Sequence, residues 1–207
     1  MSRTDQTLDS GALDGIGARE PILKIRDLVK KFPIRAGVFR RQVGAVQAVS
    51  GVNLDLFQHE TLGVVGESGC GKSTLGRSLL RLVEPTSGTV MFGTEDVTLA
   101  SKGRLRELRQ EMQMVFQDPF SSLNPRMTVG DIVAEPLIIH KRAKGRELDE
   151  LVVEILEKVG MLPEHRLRYP HAFSGGQRQR IGIARALIMR PSLVVADESV
   201  SALDVSV

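Results

Sequence analysis

A glycine-rich stretch, GESGCGKST at residues 66–74, constrains the fold of this chain more than any other feature. The apolar run TLGVV comes directly before it, and its length and composition are typical of a short buried strand. After it, apolar residues recur at helical spacing: Leu75, Leu79, Leu82 and Val83. The glycines therefore form a tight loop between a strand and a helix, an arrangement that indicates an α/β fold.

The loop has the residue types that bind phosphate. It matches G-x-x-x-x-G-K-[ST], in which glycine backbone N–H groups converge on phosphate oxygens at a helix N-terminus. The lysine adds positive charge at the β- and γ-phosphates, and the serine hydroxyl can ligate Mg²⁺. We expect the following residues to bind a nucleoside triphosphate: Gly66, Glu67, Ser68, Gly69, Cys70, Gly71, Lys72, Ser73 and Thr74.

Composition places the chain among globular proteins. Of its 207 residues 42% are hydrophobic and 26% are charged, and the net charge of +3 selects no particular partner. No apolar run reaches the roughly 18 residues of a membrane span, and residues 1–20 are expected to be a loose polar tail. Cys70 is the single cysteine, which excludes an internal disulfide and fits a reducing compartment. Because it lies in the phosphate loop, alkylation of its thiol should block nucleotide binding.

The rest of the chain divides by its periodicity. Alternating apolar residues predict strands in PILKIRDLVKKF and AVQAVSGVNLDLF, with a basic loop over residues 30–41 between them. SGTVMF and MVF predict two more strands, and SKGRLRELRQEM predicts a helix. This part, residues 21–117, is the expected nucleotide-binding core with a β subdomain.

A helical unit is expected over residues 118–177. One apolar face of a predicted helix, which Gly160 should end, comprises Leu148, Leu151, Val152, Ile155, Leu156 and Val159. Residues 178–207 should return to the core through a helix with Ile181, Ala184 and Ile188 on one face and the short strand LVVA.

Two adjacent acids, Asp197 and Glu198, end that strand. Such a pair is usually a solvated turn, but the phosphate loop upstream favours a catalytic interpretation. We expect Asp197 to hold the Mg²⁺ shell. Glu198 is expected to act as general base or to orient the attacking water, a role worth roughly 10²- to 10⁴-fold in rate.

Four elements in this order resemble the ATP-binding subunits of ABC transporters: GESGCGKST, Gln117 in MVFQDP, FSGGQRQR at residues 173–180, and VVADE followed by SALD. The third is the most specific, with Phe173 where leucine is more usual. VFQDPFSSLNPRMTV and YPHAFSGGQRQRIGIARAL more narrowly resemble the oligopeptide and dipeptide importer ATPases, whose relatives also serve nickel or glutathione.

The resemblance implies a P-loop NTPase (RecA-like) core with an N-terminal antiparallel β subdomain, an inserted α-helical signature subdomain, and ATP and Mg²⁺ as ligands. Lys72 and Gln117 would join Glu198 in catalysis, and Gln117 would touch Mg²⁺ or the attacking water. The residues implied to contact ATP or the facing subunit across a dimer are Ser174, Gly175, Gly176, Gln177 and Asp204. Phe32 would stack on adenine, although a core or turn role is an equal alternative.

The implied partners are a second ATPase subunit, in a homo- or heterodimer, two transmembrane permease subunits and, indirectly, a solute-binding protein. Nucleic acid is not expected. The function would be ATP hydrolysis that energises peptide import at the cytoplasmic face of the cell membrane. The alternatives are a soluble ABC ATPase of DNA repair or translation, and a non-catalytic nucleotide-binding module. The first of these usually has two cassettes or zinc-binding cysteines, whereas this sequence has one cassette and a single cysteine.

The sequence departs from the family pattern in two places. Ser199 stands where proline usually follows the acidic pair. The family also has a further strand after SALD that carries a histidine for the γ-phosphate, and none of His140, His165 and His171 matches it. With the last strands missing, residues 1–207 alone are expected to bind ATP weakly and to hydrolyse little.

Overall fold

The computed structural model describes residues 20–36, 41–118 and 122–197. The predicted tail, Glu198 and Asp204 lie outside the described residues. In the part of the chain that is described, no helix combines the length and the apolarity needed to cross a membrane.

The N-terminal half forms an antiparallel sheet in the order β2-β1-β3-β4. Its strands are β1 (Leu23–Ala36), β2 (Arg41–Leu56), β3 (Ser87–Phe92) and β4 (Glu95–Asp96). The two long strands form a hairpin that pairs Leu23 with Leu56 at one end and Ala36 with Arg41 at the other. The predicted antiparallel β subdomain is therefore confirmed.

The predicted basic loop over residues 30–41 is wrong in extent. Lys30, Lys31 and Arg35 belong to β1, because the backbone ladder of the hairpin continues to its far end. The ladder pairs extended backbone whatever the side-chain charge, so basic residues on an exposed part of a hairpin do not end a strand.

A second unit packs against this sheet. It contains α1 (Lys72–Leu79), α2 (Lys102–Glu111) and the parallel pair β5 (Met112–Val115) and β6 (Leu193–Ala196). One hydrophobic cluster joins the sheet to these helices and strands; it includes Leu23, Ile25, Val90, Leu75, Leu79, Leu105, Leu108, Met112 and Leu193. This cluster positions the N-terminus of α1 beside the end of β6.

The predicted strand over residues 61–65 is wrong. These residues have no regular structure, and Leu62, Val64 and Val65 are 46%, 50% and 96% exposed. Within the described residues β6 pairs with β5 alone, and Val64 and Val194 both line a cavity of about 440 Å³. An apolar run becomes a strand only when a neighbouring strand completes its hydrogen bonds.

The helix after the glycine-rich loop is shorter than its periodicity predicts. α1 ends at Leu79, so Leu82 and Val83 lie beyond it. The backbone turns at Arg81, whose φ is 49°. The Arg109 guanidinium donates to the carbonyl oxygens of Leu80 and Arg81, and thereby satisfies backbone acceptors just past the helix end.

The helical unit has its own hydrophobic core. It contains α3 (Val129–Ile139), α4 (Gly145–Lys158) and α5 (Gly175–Leu187), with two short 3₁₀ turns between the last two helices. Its buried cluster includes Ile132, Val133, Val152, Leu156, Ile181, Ala184 and Ile188. The predicted apolar face of α4 is confirmed, and the chain leaves that helix at Gly160 with φ 73°.

The expected domain boundary at residue 177 falls inside α5. Ile181 and Ala184 of that helix pack in the helical cluster, and no residue of the helix belongs to the cluster of the sheet. We therefore propose that the helical unit continues to about residue 188, where Ile188 is the last cluster residue on this stretch.

Truncation of Leu156 should destabilise the helical unit. Leu156 has no exposed surface, so Leu156→Ala leaves a cavity and should lower the free energy of unfolding by about 2–5 kcal/mol in urea titrations. Leu162 is 54% exposed, so Leu162→Ala should change it by less than about 0.5 kcal/mol. Equal losses from the two variants would contradict the assignment of this cluster as the core.

Candidate nucleotide-binding site

The glycine-rich loop is held against β2 by Gly71. Its φ is 101°, and a Cβ at this position would lie 2.0 Å from the carbonyl oxygen of Ala48. Only glycine meets both requirements, since other residues resist this backbone conformation and would collide with the strand. Residues 66–70 are exposed, whereas residues 71–74 are half-buried, so the loop rises from the protein surface at the start of α1.

α1 begins without a side-chain cap. Gly71 precedes it and has no side-chain oxygen that could accept from the first N–H groups of the helix. By contrast, Ser101, Thr128 and Ser174 cap α2, α3 and α5. The N–H groups of the first turn of a helix lack intrahelical partners, and with the helix dipole they attract anions. The start of α1 is thus suited to a phosphate group.

Lys72 folds back over the loop. Its Nζ donates to the carbonyl oxygens of Gly66 and Glu67, each at 2.7 Å, and lies 3.8 Å from the Sγ of Cys70. These contacts hold the ammonium group inside the curve of the loop. Cys70 in turn packs on Gly66, where a Cβ would lie 2.7 Å from its sulfur.

The hydroxyl of Ser73 bridges α1 to the end of β6. It donates to Oδ1 of Asp197 at 2.6 Å. Asp197 is buried, with 6% of its surface exposed, and its Oδ2 has no hydrogen-bond partner among the described residues. The Nη2 of Arg77 lies 3.7 Å from that oxygen, which is an ion pair but too long for a hydrogen bond.

The oxygen atoms at this point fit a magnesium ion. A hydroxyl and a buried carboxylate with one oxygen left without a hydrogen bond are hard donors of the type that Mg²⁺ prefers. No cluster of three or more His, Cys, Asp or Glu side chains occurs in the described ranges. A site with few protein ligands suits Mg²⁺, which usually keeps several waters and phosphate oxygens as ligands.

Gln117 lies at the same edge of the parallel pair. Val115 pairs with Ala196, and the N–H of Asp197 donates to the carbonyl oxygen of Val115 at 3.0 Å. Because both strands end here, Gln117 follows β5 on the side where Asp197 follows β6. Gln117 is exposed.

Phe32 lies on the hairpin that contacts the loop. It pairs with Val46, two positions along β2 from Ala48, and is 41% exposed. The Nζ of Lys30 lies 4.8 Å from the centre of its ring. A core role is excluded by this exposure, and the proposed adenine contact stays a prediction.

The signature residues lie apart from the loop. Ser174 and Gln177 form a capping box at the start of α5: the Gln177 N–H donates to Ser174 Oγ at 3.3 Å, and the Ser174 N–H donates to Gln177 Oε1 at 3.0 Å. Gly175 and Gly176 form the first turn and are half-buried. None of these residues lines the cavity that Lys72, Ser73 and Asp197 share.

The remaining loop residues have lesser roles in the geometry. Ser68 and Gly69 are exposed at the tip of the loop, and Thr74 is half-buried in the first turn of α1. Arg77 is the residue that sequence reasoning missed. Its signal was available, because it follows Ser73 by four positions and therefore shares a helix face with it.

Comparisons with known proteins agree with this fold. A family model described as "ABC transporter" matches residues 49–201. The oligopeptide transport ATP-binding protein AppF of Bacillus subtilis (strain 168) is 56% identical over 190 residues, covering 91% of this chain and 58% of that protein. The glutathione import ATP-binding protein GsiA of Escherichia coli (strain K12) is 53% identical over 188 residues, covering 91% of this chain and 30% of that protein.

Among solved structures, a dimeric post-hydrolysis state of the ATP-binding cassette MJ0796 bound to ADP and Pi superposes with a TM-score of 0.79 at 30% identity, covering 88% of this chain and 76% of that one. Fold, loop and sequence together define a P-loop ATP-binding protein. The chain belongs to the ABC transporter family, and it spans 58% of the length of AppF and 30% of the length of GsiA.

Replacement of Gly71 should disrupt the loop. Gly71→Ala adds a Cβ against Ala48 in a left-handed backbone, so it should lower the free energy of unfolding by more than the roughly 1–2 kcal/mol of the backbone term alone. Gly63→Ala is the matched control, because no heavy atom lies within 4 Å of its added Cβ. Thermal and urea unfolding measure the free energy of unfolding of both variants. An unchanged Gly71→Ala variant would show that the loop does not rest on β2.

Proposed function

We propose that this chain is the ATP-binding and ATP-hydrolysing part of an ABC importer for oligopeptides or similar small solutes. The single observation that carries the proposal is the arrangement of Lys72, Ser73 and Asp197: an ammonium group held in the loop, and a hydroxyl hydrogen-bonded to a buried carboxylate. The names of AppF and GsiA support the choice of cargo class.

Each residue has a separate task. The N–H groups at the start of α1 bind the phosphate chain, and Lys72 neutralises its terminal oxygens. Ser73 and Asp197 hold Mg²⁺, which would neutralise charge between the phosphates. Gln117, at the edge next to Asp197, orients the attacking water. Glu198 acts as general base in this proposal and lies outside the described residues.

The second subunit contributes the signature residues in this proposal. The signature residues lie at a helix N-terminus where Ser174 and Gln177 are exposed, and none of the four lines the cavity beside the loop of the same chain: Ser174, Gly175, Gly176 and Gln177. They can therefore face the γ-phosphate of ATP held by another copy or a relative. The dimeric form of the MJ0796 structure supports this arrangement. Phe32 stacks on adenine, and Asp204 contacts the facing subunit.

The partners follow from that role. Two membrane permease subunits receive the conformational change, and a solute-binding protein delivers the cargo to them. The chain works at the cytoplasmic face of the membrane. A role on nucleic acid has no support in the described site, where Lys72, Ser73 and Asp197 suit a nucleotide phosphate chain with a metal.

Removal of the loop lysine should weaken ATP binding. Lys72→Ala deletes a charged donor from the loop, and its dissociation constant for a fluorescent ATP analogue should rise about 10-fold or more. Lys102→Ala removes a lysine from the first turn of α2 and should leave the constant unchanged. Equal binding by wild-type protein and Lys72→Ala would refute the proposed nucleotide site.

Alkylation of Cys70 should have a similar effect. The thiol is exposed and lies 3.8 Å from Lys72 Nζ, so an added group would obstruct the phosphate loop. Treatment with N-ethylmaleimide should abolish binding of the ATP analogue. Cys70→Ser, which keeps a small polar side chain, should bind and be insensitive to the reagent. Normal binding by fully alkylated protein would contradict the prediction.

A further inference from the structure

One cation in the site has no part in the function proposed so far. Arg77 follows Ser73 by four residues in α1, so both side chains project from one face of the helix toward the end of β6. Ser73 Oγ donates to Oδ1 of Asp197 at 2.6 Å, and the Arg77 guanidinium lies 3.7 Å from Oδ2. Ser73 and Arg77, on neighbouring turns of α1, therefore lie beside the two oxygens of the Asp197 carboxylate.

The carboxylate needs a counter-charge. The Asp197 side chain is 5% exposed, and a buried carboxylate without compensation is costly. The hydroxyl of Ser73 supplies one hydrogen bond but no charge. The nearest positive charge that the described residues offer to Oδ2 is the Arg77 guanidinium.

The same contact is easily broken. The Arg77 side chain is 45% exposed, and its guanidinium does not hydrogen-bond to Oδ2 at 3.7 Å. It can therefore turn into solvent while the rest of α1 stays packed on the core through Leu75 and Leu79. A contact of this kind can balance the charge of Asp197, yet a cation that binds the carboxylate more strongly can displace it.

We propose that Arg77 is the resident counter-cation of Asp197 and competes with the divalent metal for the Oδ2 atom. When Mg²⁺ binds between Ser73 and Asp197, the guanidinium gives up this oxygen. Arg77 thereby sets the metal affinity of the site as a positioning residue, acting through Asp197. The inference rests on the proposed function, because it takes Asp197 as a metal ligand.

Manganese affinity tests the competition. The free Mn²⁺ signal in electron paramagnetic resonance gives the dissociation constant, with protein in excess over a non-hydrolysable ATP analogue. Arg77→Gln removes the charge and should bind Mn²⁺ about 3- to 10-fold more tightly than wild type, because one nearby positive charge no longer opposes the metal. Arg77→Lys keeps the charge and should stay within about 2-fold of wild type.

A charge control is available in the same chain. Lys102→Gln removes one positive charge from the first turn of α2 and should not alter the Mn²⁺ constant. An unchanged or weaker affinity in Arg77→Gln would overturn the proposal. So would an equal gain in Lys102→Gln, because the effect would then come from net charge alone.

Stability without metal gives a second readout. In EDTA, Arg77→Gln should melt at a lower temperature than wild type, since Asp197 loses its counter-charge, and Mn²⁺ with nucleotide should close that gap. The double variant Arg77→Gln/Asp197→Asn removes both charges and should recover stability in EDTA. The double variant also keeps the test informative if Arg77→Gln alone fails to fold. If the double variant is no more stable than Arg77→Gln, the proposed pairing of Arg77 with Asp197 is overturned.

The outcomes separate the two proposals. If wild-type protein binds no ATP analogue in EDTA or with metal, the proposed function fails. The Mn²⁺ titration without nucleotide and the EDTA melting curves then still decide whether Arg77 and Asp197 are coupled. If the analogue binds but Arg77→Gln leaves Mn²⁺ affinity unchanged, the proposed function stands and the inference about Arg77 fails.

Discussion

The hydrogen bond from Ser73 to Asp197 is the interaction on which the site depends. It joins residues 124 positions apart in sequence and connects the first turn of α1 to the end of β6. On the other side of the loop, Gly71 lies against the backbone of Ala48 in β2. Because both contacts fix the end of the loop where α1 begins, the N–H groups of the helix start are positioned before any ligand binds, which lowers the ordering cost of binding.

Local patterns were enough to predict helices, which satisfy their own backbone hydrogen bonds, and strands with a clear apolar pattern. β3 and β6 have the bounds of the runs SGTVMF and LVVA, and Gly160 ends the helical stretch after α4. Residues 61–65 were predicted wrongly because a strand is completed by a distant neighbour, which no local run encodes. The extent of the β1–β2 hairpin was misjudged for the same reason: its pairing outweighs the charge of Lys30 and Lys31.

The sequence predicted which residue types belong to the site, but only part of their arrangement in space. The motif named Lys72, Ser73 and Asp197, and the structure brings them to one cavity. The four-residue spacing of Ser73 and Arg77 predicts a shared helix face, but only the tertiary structure shows that this face meets β6 and brings Arg77 to Asp197. The two glycine-rich helix starts also differ in a way that no motif records: α1 has no side-chain cap, whereas Ser174 and Gln177 cap α5.

That difference bears on how each helix start can meet a phosphate. At α1 the backbone N–H groups are available directly, so the loop can enclose an anion. At α5 the Ser174 oxygen already accepts from the Gln177 N–H, yet a serine hydroxyl can accept and donate at once. An anion at α5 would therefore meet the Ser174 hydroxyl proton and the helix dipole, while the capping box keeps the helix start ordered.

In the protein without ligand, each charged group of the site has partners that stabilise it. Within the protein, Lys72 is held by two loop carbonyl groups, and Asp197 is held by Ser73 and faced by Arg77. In the proposed function, a nucleotide phosphate chain would take over Lys72 from these neutral oxygens, and charge-assisted bonds to phosphate are stronger than those to carbonyl groups. In the proposed function, a metal would take over Asp197 from the half-exposed guanidinium of Arg77. Both proposed exchanges would replace a weaker contact by a stronger one, so neither would leave a buried charge without compensation.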